Sequence, residues 1–258
     1  MEQRVQQQVS IKILAIANSF SQDATRFLSQ ILDERGIENK VVNLYIGGCP
    51  LERHWANIET GEQAYEYELA GSFTGRMISI DEALREEEWD HIITQQASGF
   101  SGWKESYEPF LGLMIDHIRK ICPKAKLWLQ QTWAYEVGAP HANFMRYYRD
   151  QQLMYAKLSA CYREMGAKYG LDIIPCGDMI QLVRKTKEFD FANGGLSLCR
   201  DGYHMSHTYG RFLLGCCWAN KLAGVDVSEI GFVPVHEGSP EADAALLKVI
   251  KDTLARNL

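Results

Sequence analysis

Apolar and polar positions along the chain switch repeatedly between two periods. Residues 11–17, IKILAIA, form a continuous apolar run, the pattern of a strand buried on both faces. Similar short runs follow at 39–46 (NKVVNLYI), 89–96 (WDHIITQQ), 125–133 (AKLWLQQTW) and 171–177 (LDIIPCG). Between them the spacing becomes helical. Over 23–36, Phe27, Leu28, Ile31 and Leu32 recur at helical period, with Asp23 placed to cap the start and Gly36 the end. Further helices are predicted over 105–122, 143–170, 207–224 and about 240–256, two of them ending at a glycine. Strands alternating with helices predict βαβ units and a mostly parallel sheet, the α/β class. One stretch departs from this rhythm. In RHWANIETGEQAYEYELAGSFTGRM (53–77), Gln63, Tyr65, Tyr67 and Leu69 alternate around two glycines. It predicts a small hairpin inserted after the second strand, serving either to line a cleft or to decorate the surface. With no repeat, low-complexity segment or linker, 1–258 is expected to be one domain.

Composition narrows the classes. Hydrophobic residues are 46% of the chain, enough for a large core. The net charge is -6 and no stripe of Lys and Arg stands out, which argues against a nucleic-acid surface. Seven cysteines are scattered without a CxxC pair, so buried free thiols are expected rather than a zinc site or a disulfide framework. No stretch approaches the roughly 20 apolar residues of a membrane span. The opening MEQRVQQQVS is polar and lacks a signal-peptide core. That is expected of a cytoplasmic protein, or of one exported by a signal peptide outside this sequence.

Candidate chemistry starts at the end of the first strand, in ILAIANSFSQDA (13–24). In a parallel sheet, ligands sit beyond the carboxyl ends of the strands. Ser19 is there, just before a helix whose first N–H groups lack intrahelical partners. Two roles compete: a helix cap at Ser19 or Ser21, and a nucleophile whose oxyanion those N–H groups help hold. Far downstream, CRDGYHMSHTYG (199–210) carries Asp201 and His204 in D-x-x-H spacing. A serine hydroxyl needs a base, and the base needs a carboxylate to fix its tautomer. His207 is the nearby competitor for the base. After the fourth strand, His141 is a candidate cleft residue, and Trp133 and Tyr135 are placed to stack on a sugar ring or to pack under the loop. The glycine loops lack the G-x-x-x-x-G-K arrangement of a nucleotide site.

The blocks AIANSFSQD and DGYHMS together resemble the SGNH (GDSL-like) hydrolase superfamily, and within it the bacterial domains of unknown function whose first block reads like G-N-S-F-S. The resemblance implies a three-layer α/β/α sandwich, flavodoxin-like, with a parallel sheet of about five strands. It implies a serine esterase of the group that includes lipases and carbohydrate O-acetyl esterases, working without metal or organic cofactor on a small-molecule or carbohydrate ester. Carried over by residue, Ser19 matches the nucleophile, Asp201 and His204 the orienting acid and general base. Gly48, in preference to Gly47, matches the oxyanion glycine. The family's third block usually presents an asparagine as a further oxyanion donor. No asparagine follows the third strand here, and Gln95 and Gln96 stand in its place, of which only one can face the cleft. Gln96, nearer the strand end, is the preferred candidate. Ala17 stands where the family often has glycine.

Overall fold

The computed structural model describes residues 10–258. Of the polar opening stretch MEQRVQQQVS, residues 1–9 lie outside the described residues and Ser10 opens the first strand. The elements run β1 (Ser10–Ala17), α1 (Ser19–Thr25), α2 (Leu28–Glu34), β2 (Glu38–Tyr45), α3 (Leu51–Thr60), β3 (Tyr65–Leu69), β4 (Ser72–Ile78), α4 (Ile80–Glu86), β5 (His91–Thr94), α5 (Phe110–Ile121), β6 (Lys126–Gln130), α6 (Gln151–Tyr169), β7 (Asp172–Ile174), α7 (Cys176–Val183), α8 (Tyr209–Ala223) and α9 (Ala244–Ala255). The sheet order is β4-β3-β2-β1-β5-β6-β7. The strands β2, β1, β5, β6 and β7 are parallel neighbours, which is the flavodoxin-like order. Helices α1, α2, α8 and α9 pack together on one face and α3, α4 and α5 on the other. Residues 13–17 of β1 are fully buried at the centre, as an apolar run covered by helices on both faces must be. Helix α8 is buried almost all round, which explains why Cys216, Cys217 and Trp218 succeed one another there without a polar face. All seven cysteines are buried and free. Among the described residues, no helix is long and apolar enough to cross a membrane.

Four details differ from the sequence expectation. The stretch at 53–77 is not a hairpin throughout. Its first part is helix α3, because Leu51, His54, Trp55 and Ile58 share one helical face, and Gly61 ends it in the left-handed region at φ 66°. Only β3 and β4 form the hairpin, through a two-residue turn of Ala70 (φ 49°) and Gly71 (φ 74°). The hairpin pairs with β2 and widens the sheet from about five strands to seven, burying Tyr65 and Tyr67 against the helices. The predicted helix 23–36 is broken at Arg26–Phe27, and its cap is Asn18, whose side chain accepts from the Phe20 N–H, rather than Asp23. The predicted helix 143–170 is broken at Tyr148 and Arg149, both left-handed, so a short 3-10 turn at Ala142–Tyr147 precedes α6.

Burial also sets an acid limit on the fold. His54 is fully buried, with its Nδ1 2.8 Å from the Tyr65 hydroxyl and its Nε2 without a hydrogen-bond partner among the described residues. Burial, with the Arg53 charge adding to it, pushes the imidazole pKa down to about 3. The folded ring stays neutral where the unfolded chain, at about 6.5, takes up a proton. Stability is therefore complete above about pH 6.5 and is lost as pH falls from there toward 3. At pH 5 the loss is roughly 2 kcal/mol, from about 1.5 pH units at 1.36 kcal/mol each. Urea titrations at pH 7 and pH 5 should show the midpoint of His54→Asn falling less than that of the wild type. Equal falls would mean that His54 does not govern this window.

Candidate active site

The strand order reverses between β1 and β5, which leaves a crevice beyond their carboxyl ends. Asn18 organises its floor. Its Oδ1 accepts from the Phe20 N–H (3.1 Å) and from Gln95 Nε2 (2.7 Å), and its Nδ2 donates to the Cys49 carbonyl (3.0 Å). One side chain thus ties together the ends of β1, β2 and β5. Ser21 donates its hydroxyl to the Asn18 carbonyl and to Asn43 (2.8 and 2.6 Å), away from the crevice. The Ser19 hydroxyl has neither duty. It lies 2.9 Å from His204 Nε2.

His204 and Asp201 come from the turn that precedes α8. His204 Nδ1 is 2.6 Å from Asp201 Oδ2, and Asp201 Oδ1 accepts the backbone N–H groups of His204 (2.7 Å) and Tyr203 (3.1 Å). Burial pushes the Asp201 carboxyl up, but those hydrogen bonds outweigh it and hold the pKa below the ordinary aspartate value. With Nδ1–H donating to the carboxylate, Nε2 presents a lone pair and accepts the Ser19 hydroxyl proton. His207 turns elsewhere. Its ring stacks on His236 at 4.0 Å, and burial, together with Arg211, His236 and Arg200, pushes its pKa down to about 4.

A cleft of about 260 Å³ opens above Ser19, walled by Tyr45, Gly47, Gly48, residues 97–100, His141, Asn143, Tyr203 and His204. Gly48 has φ 63°, a conformation that favours glycine, and no Cβ stands between its backbone and the cleft. His141 lies between the rings of Tyr135 (4.8 Å) and Tyr203 (4.6 Å). Its Nδ1 accepts the Asn143 N–H at 3.1 Å, so in the neutral ring the proton is on Nε2. Burial and the nearby His204 lower its pKa.

Four expected residues are not brought into the cleft: Gln95, Gln96, Trp133 and Tyr135, the last fully buried with its hydroxyl 2.8 Å from Ser98 Oγ. Gln95 is fully buried, donating to Asn18 and accepting from Gln130 Nε2 at 2.6 Å. Gln96 folds back: its Oε1 accepts from Ala97 N (2.7 Å) and Leu51 N (3.1 Å), and its Nε2 donates to the Ser106 carbonyl (2.7 Å). Both amides are consumed in holding loops. Trp133 is also fully buried, stacked on Phe20 at 3.9 Å, with its Nε1 donating to the Tyr203 carbonyl at 2.7 Å. It packs under the site and offers no face to a ligand.

Tyr45, Phe100, Tyr203 and Asn143 line the cleft although the sequence motifs do not single them out. The signal for Asn143 is indirect. A Cβ at Gly99 would stand 2.3 Å from Asn143 Nδ2, so a glycine there is what lets the 97–102 loop close on that amide. Asn143 Oδ1 accepts from Arg146 Nε at 3.3 Å, which leaves its Nδ2 hydrogens for other partners. Asp23, expected as a cap, is instead a fully buried acceptor for Arg200, Arg211 and the Met205 N–H. Among the described residues no group of three His, Cys, Asp or Glu side chains is placed to hold a metal ion.

Comparison with known proteins agrees with this architecture. No curated protein matches the chain. A DUF4886 family protein from Bacteroides uniformis ATCC 8492 has a solved structure that is 35% identical, with 96% of this chain and 94% of that one covered at a TM-score of 0.86. A proposed SGNH hydrolase from Slackia heliotrinireducens aligns at 18% identity over 82% of this chain and 98% of that one, with a TM-score of 0.53. An acetylxylan esterase from Geobacillus stearothermophilus aligns at 13% identity over 89% and 99%, with a TM-score of 0.55. The latter two are similar in fold. The model of the domain of unknown function DUF4886 matches residues 12–249, and the chain belongs to that family, built on the SGNH hydrolase fold.

Proposed function

We propose that the protein is a serine esterase that hydrolyses a short-acyl carboxylic ester, with an O-acetyl group on a carbohydrate as the favoured substrate. The observation that carries this reading is the continuous chain of hydrogen bonds from Asp201 through His204 to Ser19, ending in an open cleft. Ser19 attacks the acyl carbon while His204 takes its proton. The N–H groups of Ser19 and Gly48 face the developing oxyanion. His204 then protonates the departing alcohol, and water, activated by the same imidazole, releases the acid.

The side-chain amide available to the oxyanion is that of Asn143, in place of the glutamines. Asn143→Ala should lower kcat for a small aryl acetate about 100-fold with little change in KM, the usual cost of one oxyanion donor. Gln95→Ala should act through stability instead. A full kcat in Asn143→Ala would remove the amide from the scheme.

The substrate class rests on the walls of the cleft. A volume of about 260 Å³ suits a short acyl group with part of its alcohol, and the aromatic residues Tyr45, Phe100 and Tyr203 in its wall suit packing against a sugar. His141, neutral and with its proton on Nε2, supplies a fixed donor for a sugar hydroxyl. The fold neighbour that hydrolyses acetylxylan supports the same choice. The test is labelling by a serine-reactive phosphonate with peptide mapping, beside turnover of acetylated oligosaccharides and long-chain acyl esters. Labelling at Ser19 and a preference for acetyl sugars are expected. Preference for the long chain would move the reading to a lipase, and no labelling would leave a glycan-binding module.

A further inference from the structure

The two halves of the site come from opposite ends of the chain: Ser19 and His204 are 185 residues apart. A hydroxyl and an imidazole must nevertheless meet within a few tenths of an ångström. We infer that the buried Asp23 carboxylate is the positioning residue that sets this distance, acting through the turn that carries the acid and base. The inference rests on the esterase reading above.

Asp23 lies four residues after Ser19 on α1, so both project from one side of the helix, one turn apart. Its side chain is fully buried and all its hydrogen bonds reach across to the distant segment. Arg200 Nη1 donates to Oδ1 and Oδ2 (2.9 and 3.1 Å), Arg211 Nε to Oδ1 (2.8 Å), and the Met205 N–H to Oδ2 (2.9 Å). Arg200 immediately precedes Asp201 and Met205 immediately follows His204. The one carboxylate therefore grips both ends of the turn that contains the acid and the base. The turn is closed on itself as well, since the Arg200 N–H donates to the His204 carbonyl at 2.9 Å and Cys199 pairs with Met205. Arg211, on the first turn of α8, fixes where the following helix begins. A slide of the turn along α1 would break the bonds from Arg200 and Met205 together, before Ser19 and His204 had separated far.

Such a grip needs an acceptor on both oxygens. In Asp23→Asn one oxygen becomes an NH₂ group, which then faces either the Met205 N–H or the Arg211 Nε–H, donor against donor. The turn should loosen relative to α1 while the cleft walls keep their places. The expected result for Asp23→Asn is a fall of about 30-fold or more in kcat per site titrated by a serine-reactive phosphonate, with KM within about twofold, since a misplacement near 1 Å is enough to cost about 100-fold. In the ligand-free protein, the low-field proton resonance of His204 Nδ1–H, identified by its absence in His204→Asn, should shift or broaden. Arg200→Gln, with a partly exposed side chain (24%), should repeat both effects at about 10-fold in kcat.

A purely structural role predicts otherwise: a lower melting temperature, with kcat per titrated site and the His204 resonance unchanged. That result overturns the inference. If Asp23→Asn fails to fold, Arg200→Gln decides by the same two readouts. The resonance is read without substrate, so it tests the grip even if the protein turns over no ester, the outcome that would sink the esterase reading instead.

Discussion

Ser19→Ala is expected to lower turnover of a small aryl acetate by about 10⁴-fold or more, with the fold intact, and to abolish labelling by a serine-reactive phosphonate. The size follows from the role. Without the hydroxyl there is no covalent intermediate, and only the oxyanion donors and binding contacts remain to assist water. The stability side of the prediction is as specific. A capping serine replaced by alanine costs about 1 kcal/mol, but α1 is capped by Asn18, and Ser21 makes the neighbouring hydroxyl contacts. Ser19→Ala should therefore leave the melting temperature close to the wild-type value. A variant that retained a tenth of the wild-type turnover would show that Ser19 is not the nucleophile.

Much of this arrangement is legible in the order of the residues. The apolar run 11–17 and the switches between two periods locate the parallel strands, because central strands of an α/β sheet have no polar face to blur the pattern. The end of β1 and the D-x-x-H turn put Ser19, Asp201 and His204 forward as candidates, since both are local features, while the choice of Ser19 over a cap and of His204 over His207 comes from the resemblance of the two blocks. What stays hidden is non-local. The alternation at 63–69 reveals strands but not that they extend β2, which depends on α3 and α4 covering Tyr65 and Tyr67. Helix α3 is masked by the hairpin that follows it. The break before α6 leaves no trace because Tyr148 and Arg149 are ordinary helix residues forced to positive φ by the chain around them.

The glutamines fail for a related reason. Strand alternation allows one of Gln95 and Gln96 to face the cleft, but β5 ends at Thr94 and the rule ends with it. Gln96 bends back to its own loop, and Gln95 is taken by the cap residue Asn18. The cleft amide comes instead from Asn143, through a turn that no local pattern announces. Trp133 follows a strand end, where a ligand platform would stand, yet its ring is needed to support Phe20 and the Tyr203 carbonyl.

Asp201→Asn carries the second large effect, a fall of about 10⁴-fold in turnover with the turn still formed. The carboxamide oxygen can go on accepting the N–H groups of His204 and Tyr203, which hold the turn's shape. Its NH₂ then faces His204 Nδ1 and donates to it. That reverses the tautomer: the proton moves to Nε2, and Nε2–H meets the Ser19 hydroxyl as a donor where an acceptor is required. The loss is one of proton acceptance and not of geometry, so KM should hardly change and phosphonate labelling should slow in parallel with kcat. The same logic separates the two histidines of the motif. His204→Ala removes the base and should match Asp201→Asn or exceed it. His207→Ala removes a ring that stacks on His236, has no contact with Ser19, and should keep turnover within about threefold of wild type, the scale of a change outside the reacting groups. Measured at saturating aryl acetate, a dead His207→Ala beside an active His204→Ala would show that the base had been assigned to the wrong imidazole.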